Sequence, residues 1–402
     1  MKIIRTICRI LIGLTFVISG FLKGVDPAGF SLKISEYLAA FHLSFLSFSS
    51  IFIAIAILSA EFVIGISILK GLKMRVTSFA ALVFAGFFTL ITFYSAIFNP
   101  VSDCGCFGDA VHLTNWESFF KNIVLLTCAI LLFLKRKDFI PFCSQKIEVI
   151  YLLCYSAFIV GLSVYSAVYL PPVDFGPFRP GAVINSSSYL PVRSYKSTLI
   201  YSKDGHEKEF TIKNIPDSTW TYVETKTSLS GGAGNYDNSS VLSLSDSSGM
   251  YVTDSILDSD KPVLMIIRHS LKPLSEKNIR EIGKLYAASL ANNTEFFIIN
   301  NTTDIIPKGF SNGIPSLSMD HKTALSLCRS DGGLVYINGK TIIEKWPRGK
   351  YPVDSFTKVI SSDPEILSAR TIIKERIFIE TSIAVVLLLV VLIRFVSRYR
   401  FL

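Results

Sequence analysis

Two cysteines one residue apart, Cys104 and Cys106, are the side chains of this sequence best placed to do chemistry. They stand in Asp103-Cys104-Gly105-Cys106-Phe107-Gly108-Asp109, a short polar loop between two long apolar runs. In an oxidising compartment, thiols this close are bonded to each other, exchanging with a partner, or holding a metal. A disulfide across one intervening residue closes a small, strained ring, and strain makes such a bond labile and redox-active. Gly105 allows the tight turn that ring would need. The plainer reading is a pair of loop cysteines without chemistry. For a metal, no His or Cys cluster at ligand spacing completes a site, although His112 is near.

Glu61 is the second feature, an ionisable residue in the middle of an apolar run. Placing it in hydrocarbon costs at least a few kcal/mol, so it must be protonated or paired, with Lys23 or a serine such as Ser19. It is then either a proton or ligand site, as in a small-molecule transporter, or a buried carboxyl that fixes helix packing. The other cysteines read as apolar packing: Cys8 near the start of the first run, Cys128 and Cys154 inside runs, and Cys143 in a basic loop. Cys328 alone lies in the polar part of the chain, where it could exchange with the loop pair but has no resolving partner.

The elements that must position these groups are membrane spans. Half of the 402 residues are hydrophobic, only 18% are charged, and the mean hydropathy is +0.47, too apolar for an ordinary soluble protein. The net charge of +9 does not indicate nucleic acid, because the basic residues bunch beside the apolar runs and no basic, aromatic-interleaved motif occurs. Apolar runs at about 6–22, 48–70, 76–98, 117–134, 149–170 and 377–396 are each long enough to cross roughly 30 Å of hydrocarbon. The first lacks a small-x-small cleavage site and is read as uncleaved, ended by Lys23 and Asp26-Pro27. Residues 30–45 carry a helix-period stripe of Phe30, Ile34, Leu38, Phe41 and Phe45, which suits an amphipathic helix lying on the membrane surface or against the bundle.

Orientation follows from the loops. Lys2 and Arg5, then Lys70, Lys73 and Arg75, then Lys135, Arg136, Lys137 and Lys146, then Arg394, Arg398 and Arg400 all fall on one side if there are six spans. That side is cytoplasmic, with both termini. The Cys104–Cys106 loop and residues 171–376 then face outward, which in a bacterium is the periplasm beyond the inner membrane.

The outward region opens at Leu170-Pro171-Pro172, which stops the fifth span. Residues 197–212 alternate around Lys203-Asp204-Gly205 as a hairpin, and 227–249, rich in Ser and Gly, read as a flexible loop. From 261 the pattern becomes a strand Val263–Arg268, a helix at about 273–291 with Pro273 in its first turn, a strand Glu295–Ile299, and a hairpin of Leu334–Ile337 with Thr341–Trp346 across Asn338-Gly339. Strand, helix, strand, hairpin is a thioredoxin-like order. Where a thioredoxin carries Cys-x-x-Cys, this chain reads His269-Ser270-Leu271-Lys272, and where it carries a cis-proline, Asp331-Gly332-Gly333. Without a thiol that domain cannot run dithiol exchange in the usual way, which points to binding or scaffolding. His269 remains a lone candidate group.

Arg9 and Gly13, Ser19-Gly20, Lys23, Asp26-Pro27, Glu61 and Gly65, the Cys104 loop, Thr114-Asn115-Trp116 and Lys121-Asn122 together resemble DoxX-like membrane proteins, most of all the methylamine-utilisation MauE branch, over roughly residues 1–140. Leu170-Pro171, Asp174, Pro177-Phe178 and Gly339 to Trp346 resemble the outward part of long members of that family from Bacteroidetes. The resemblance implies a four-helix membrane core and a link to disulfide handling of exported proteins, without a settled reaction. Quinone-linked disulfide oxidases share the four-helix plan but use two cysteine pairs, and this chain offers one. No cofactor is therefore expected, and a quinone has no support in the sequence.

The combined expectation is a DoxX/MauE-like four-helix bundle over 1–140, a fifth span at 149–170, a β-rich segment at 171–258, an α/β degenerate thioredoxin-like domain at 259–365 and a sixth span at 377–396. Its function would be thiol–disulfide exchange or electron passage through Cys104 and Cys106, with a periplasmic or envelope protein as partner. The alternative is a non-enzymatic membrane scaffold.

Overall fold

The computed structural model describes residues 2–399 apart from 102–103, 140–143, 187–193, 204–205, 212–220, 231–240, 271–272 and 301–312. The membrane part is built from α1 (Lys2–Val25), α2 (Pro27–Ala40), α3 (Ser50–Lys70), α4 (Met74–Phe98), a short extended segment β1 (Cys106–Asp109), α5 (Asn115–Leu134) and α6 (Gln145–Val168). Among the described residues, five stretches are long and apolar enough to cross a membrane: Ile3–Val25, Ser44–Lys70, Met74–Phe98, Asn115–Leu134 and Gln145–Val168. The sixth apolar run, 377–396, falls within one unbroken helix, α11 (Pro364–Tyr399).

Local chemistry sets the boundaries. Asp26 and Pro27 do not simply end the first helix. The Asp26 carboxylate accepts the Gly29 N–H, and Pro27 takes the first helical position, so the pair starts α2 one residue after α1 stops. The amphipathic stripe expected over 30–45 is also shorter than its pattern. The helix ends at Ala40, His42 adopts a left-handed φ of 58°, and Phe45 lies in a 3₁₀ turn at Ser44–Ser49. At α5, Thr114 and Glu117 cap each other's backbone N–H groups in a capping box, which starts the helix at Asn115.

Helix α1 runs through the middle of the bundle and packs closely on α3, because glycines face backbone. A Cβ on Gly20 would stand 2.8 Å from the Phe62 nitrogen and 2.9 Å from the Leu58 oxygen, and one on Gly65 would stand 2.7 Å from the Val17 nitrogen. Close backbone approach through small residues is the membrane's substitute for a hydrophobic driving force between helices. Around this seam lie Ile12, Phe16, Ile68, Ala81, Leu125, Ala129 and Leu132, all buried. The outer faces of the spans present Phe52, Phe79, Phe87, Leu90, Leu134 and Leu153, as lipid contact requires.

One end of the bundle collects basic residues. Arg9 donates to the carbonyls of Ile68 and Leu69, Arg5 lies 3.7 Å from Asp138, and Lys73 lies 3.8 Å from Glu148. The Cys104–Cys106 loop, joining α4 to α5, is at the opposite end.

The remainder of the chain is an α/β region. Its strands are β2 (Asn185–Ser186), β3 (Ser194–Lys203), β4 (His206–Thr211), β5 (Thr221–Ser230), β6 (Val241–Leu242), β7 (Val263–Ile267), β8 (Glu295–Asn300), β9 (Ser316–Ser318), β10 (Gly333–Asn338) and β11 (Thr341–Trp346). Its helices are α7 (Thr253–Leu257), α8 (Glu276–Ala291), α9 (His321–Leu327) and α10 (Phe356–Ser361), followed by α11. A mixed five-stranded sheet has the order β11-β10-β7-β8-β9, with β7 parallel to β8 and antiparallel to β10. Strand β7 is buried at every residue, so its side chains feed two cores by simple alternation. Val263, Met265 and Ile267 meet Phe178, Ile184, Leu242 and Leu244 on one face, and Leu264 and Ile266 meet Ile282, Leu285 and Phe356 on the other.

Three local readings change here. Residues 227–230 belong to β5 and 241–242 to β6, so the flexible loop expected over 227–249 is partly strand. Polar Ser and Thr residues in β5 find their backbone partners in β3, which glycine and serine content alone does not reveal. Pro273 precedes α8 rather than lying in its first turn, since Ser275 caps that helix by accepting the Asn278 N–H. Phe178, Ile184, Leu242, Leu244, Ile256 and Leu257 also share a core with the sheet, and there Ile184 donates to the Lys340 carbonyl and Gly181 to that of Ile342.

The α1–α3 seam yields a test. Gly20→Val puts side-chain carbon inside contact distance of the α3 backbone and should destabilise the bundle by about 1–3 kcal/mol. Thermal unfolding of the detergent-solubilised protein would register this as a lower Tm. An unchanged Tm contradicts the seam.

Candidate functional site

The loop between α4 and α5 is shaped by two left-handed glycines and three side-chain anchors. Gly105 and Gly108 have φ of 60° and 62°, and the Gly108 N–H donates to the Gly105 carbonyl at 3.1 Å. A Cβ on Gly105 would stand 3.0 Å from Lys33 Cγ on α2, so glycine answers both the backbone turn and the neighbour above it. Ser19 of α1 donates to the Cys106 carbonyl at 2.5 Å, Cys104 Sγ lies 2.9 Å from Ser118 Oγ of α5, and the Cys106 N–H reaches Cys104 Sγ at 3.3 Å. Both cysteines are free thiols, half-buried, and hydrogen-bonded to each other through their sulfurs.

The two thiols are unequal. Cys106 is pulled down to about 6 by its hydrogen bond with Cys104, against the cost of burial, and then by the positive charges of Lys121 and Lys23. Cys104 is pushed well up by the same hydrogen bond and by burial, with Ser118 and Lys121 opposing. The pair is thus arranged to hold one proton on Cys104 and one negative charge on Cys106.

Beneath Cys106 lies a small pocket in the bundle, lined by Ser19, Lys23, Glu61, Phe88, Lys121 and Asn122 among others. Lys23 and Glu61, the intramembrane residues singled out from sequence, are both buried and meet at 2.8 Å. The Lys23 ammonium also stands 4.8 Å above the Phe30 ring. Ser19, the other partner considered for Glu61, bonds the loop instead. Asn122 bridges α5 to α4 by donating to the Phe88 carbonyl and Thr92 Oγ1, and Lys121 lies 4.6 Å over the Phe107 ring. In the sequence Lys121 stands only among the residues of the family resemblance, with no role of its own. Its place one turn beyond Ser118, on the helix face that meets the loop, was the signal available.

The α/β region reaches the same end of the bundle. Arg329, in the turn between α9 and β10, lies 2.7 Å from Asp26 Oδ2 and 3.0 Å from Asp109 Oδ2. Burial opposes its charge, but Asp26 and Asp109 outweigh burial and hold the guanidinium firmly protonated. Ser330 of the same turn lies 3.5 Å from the Val168 carbonyl at the end of α6. Arg329 did not stand out in the sequence, where a single arginine in a polar region has no distinguishing neighbours.

Other candidates separate from this site. Cys328 is fully buried in the sheet's core and its thiol is pushed up to about 11 by that burial, so it is poorly placed to exchange with the loop. Cys8 and Cys128 pack in the bundle as expected, but Cys154 is exposed on the outer face of α6, and Cys143 lies outside the described residues. His269 and Ser270 follow β7, and their N–H groups both donate to Asp331 Oδ1, which also accepts from Arg268 at 3.2 Å. Burial lowers the His269 pKa, partly offset by Asp331. Among the described residues no group of three or more His, Cys, Asp and Glu side chains could hold a metal.

A helical membrane bundle with a dithiol loop at one end, and an α/β region set against that end, defines a class of membrane protein. Residues 1–135 match the family described as Methylamine utilisation protein MauE, so this third of the chain is similar to MauE-like membrane proteins. Residues 195–230, which hold the three-stranded sheet β4-β3-β5, match a domain of unknown function, DUF8463. Over 130 residues the chain is 28% identical to Protein TlpB of Flavobacterium psychrophilum, a match covering 31% of this chain and 35% of that protein. The chain thus covers about a third of the relative it matches. No solved structure matches.

Two outcomes follow from the geometry. Alkylation of Cys106 by iodoacetamide should rise through a midpoint near 6, while Cys104 stays unreactive until far higher pH, because only the thiolate reacts. Equal profiles for the two contradict the asymmetry. Lys23→Met alone should destabilise the bundle by about 3–5 kcal/mol through an uncompensated buried carboxylate, and Lys23→Met with Glu61→Leu should recover most of it. Additive losses in thermal melts would contradict a direct buried pair.

Proposed function

We propose that this protein takes part in thiol–disulfide exchange or electron passage at the outer face of a bacterial inner membrane, with Cys106 as attacking thiolate and Cys104 as resolving thiol. The observation that carries the reading is the position of Cys106 against Cys104 and over Lys23 and Lys121, a local field that favours its thiolate. In the exchange, Cys106 S⁻ attacks one sulfur of a partner's disulfide and releases the other as thiolate. Cys104 then loses its proton and attacks Cys106 Sγ, which frees the partner's second thiolate and leaves a Cys104–Cys106 disulfide. Two electrons pass to the partner, and the reverse sequence oxidises it.

Orientation rests on the basic end of the bundle, with Arg5, Arg9 and Lys73, which the positive-inside rule assigns to the cytoplasm. The loop and residues 171–376 are then periplasmic, α11 supplies a sixth span over 377–396, and both termini are cytoplasmic. The order β11-β10-β7-β8 of the central sheet supports a degenerate thioredoxin-like domain over 259–365. No cofactor is invoked, and the reductant or oxidant is a periplasmic or envelope protein.

A second reading, a non-enzymatic scaffold, is favoured by one observation. The turn where a thioredoxin would carry its thiols is occupied by His269 and Ser270, tied to Asp331. Trapping separates the two. Cys104→Ser removes the resolving thiol, so a mixed disulfide between Cys106 and its partner should accumulate and be visible as a reducible high-mass band on a non-reducing gel. Absence of any such band, together with full cellular function of Cys104→Ser/Cys106→Ser, would leave the scaffold.

A further inference from the structure

The α/β region does more than lie near the dithiol loop. It holds the loop from both sides. On the side that follows Cys106, Arg329 reaches Asp109, the last residue of β1, and ties it to Asp26 at the head of α2. Arg329 Nε bonds both oxygens of Asp26 at 3.1 Å, Nη2 bonds Asp26 and Asp109, and Nη1 donates to the Leu325 carbonyl of α9 at 3.0 Å. On the other side, Lys322 of α9 pairs with Glu36 of α2, Glu36 lies 3.8 Å from Lys33, and the Lys33 stem lies against Gly105.

The fit around the guanidinium is close. A Cβ on Gly29 would stand 2.6 Å from Asp26 Oδ2, 2.8 Å from Arg329 Nη2 and 3.0 Å from Asp109 Oδ2, so only glycine leaves room for the three groups to meet. The side chains of Arg329 and Asp26 are almost wholly buried and that of Asp109 nearly so. A single arginine that bridges two carboxylates from different segments needs its planar fork, which lysine lacks.

We infer that Arg329 is a positioning residue of the Cys104–Cys106 site: reaching across from the α/β region, it fixes Asp109 against Asp26 and thereby holds Cys106 over Lys23 and Lys121. This deepens the dithiol reading above and rests on it. The soluble region is then part of the site, and the membrane domain alone has an incompletely ordered loop. Without the bridge, β1 loses its tie to α2 and the Cys106 sulfur moves away from the two lysines, toward the behaviour of an ordinary thiol.

The test is the pH profile of Cys106 alkylation in the full-length protein in lipid nanodiscs, followed by mass spectrometry of that peptide. Arg329→Met should raise the midpoint by about one unit, equivalent to about tenfold less thiolate at pH below it. Arg329→Lys should fail to restore it, and Asp109→Asn, which preserves shape, should raise it in the same direction. Should Arg329→Met not fold, Asp109→Asn decides. A midpoint unchanged in folded Asp109→Asn, or one restored in full by Arg329→Lys, overturns the positioning role. Because the profile needs no partner, it is separable from the exchange reading: a shifted midpoint with no trapped partner sinks exchange and keeps the positioning role, and the converse does the opposite.

Discussion

A lysine and a glutamate paired inside hydrocarbon are the constraint on which the rest of the site depends. Neither charge is tolerable alone at that depth, and the 2.8 Å contact between Lys23 and Glu61 fixes α1 against α3 at one height and one rotation. The glycines of the seam allow the approach, and the ion pair sets its register. From that register Ser19, four residues before Lys23, meets the Cys106 carbonyl, and the ammonium lies below the loop. A buried pair is poor evidence of stability, but it is good at specifying an arrangement, and here the arrangement places positive charge where a thiolate would form.

The second organising contact is the one between the two halves of the chain. Asp26 has two tasks: it caps α2 and it receives Arg329. Burial opposes the charge of Asp174, which follows α6, but Lys345 of β11, Arg329 and the Gly176 N–H together hold it ionised, and its N–H reaches Glu375 of α11 at 3.4 Å. Charged residues at these junctions therefore hold the entry to and exit from the α/β region against the membrane end, so the soluble part cannot be treated as a tethered module.

Much of this was legible in the residues themselves. Apolar runs marked the five spans found among the described residues, and the cost of burying Glu61 alone called for a partner, with Lys23 and Ser19 as the candidates. The strand and hairpin signals around Val263, Glu295 and Asn338-Gly339 were strong because β-branched runs and a glycine turn coincide. Four things were not legible, each for a physical reason. β5 is a polar strand whose partner β3 lies elsewhere in the sequence, so composition resembled a loop. Asp26-Pro27 carries the same letters whether it ends one helix or begins the next. Arg329 and Asp109 are 220 residues apart, and nothing local to either marks the contact. The unequal thiols left no mark in the sequence either, since their difference arises first from the hydrogen bond between them and then from burial, Lys121 and Lys23 in three dimensions.

The central claim is that Cys104 and Cys106 work as a dithiol that cycles. Its most direct test is the redox state of the loop pair in growing cells, read by acid quench, thiol labelling and mass spectrometry of the peptide. The account predicts both an internally bonded and a reduced population, with their ratio shifting when oxidant or reductant is applied to the envelope. A pair that stays fully reduced, or fully bonded, under every condition would contradict it.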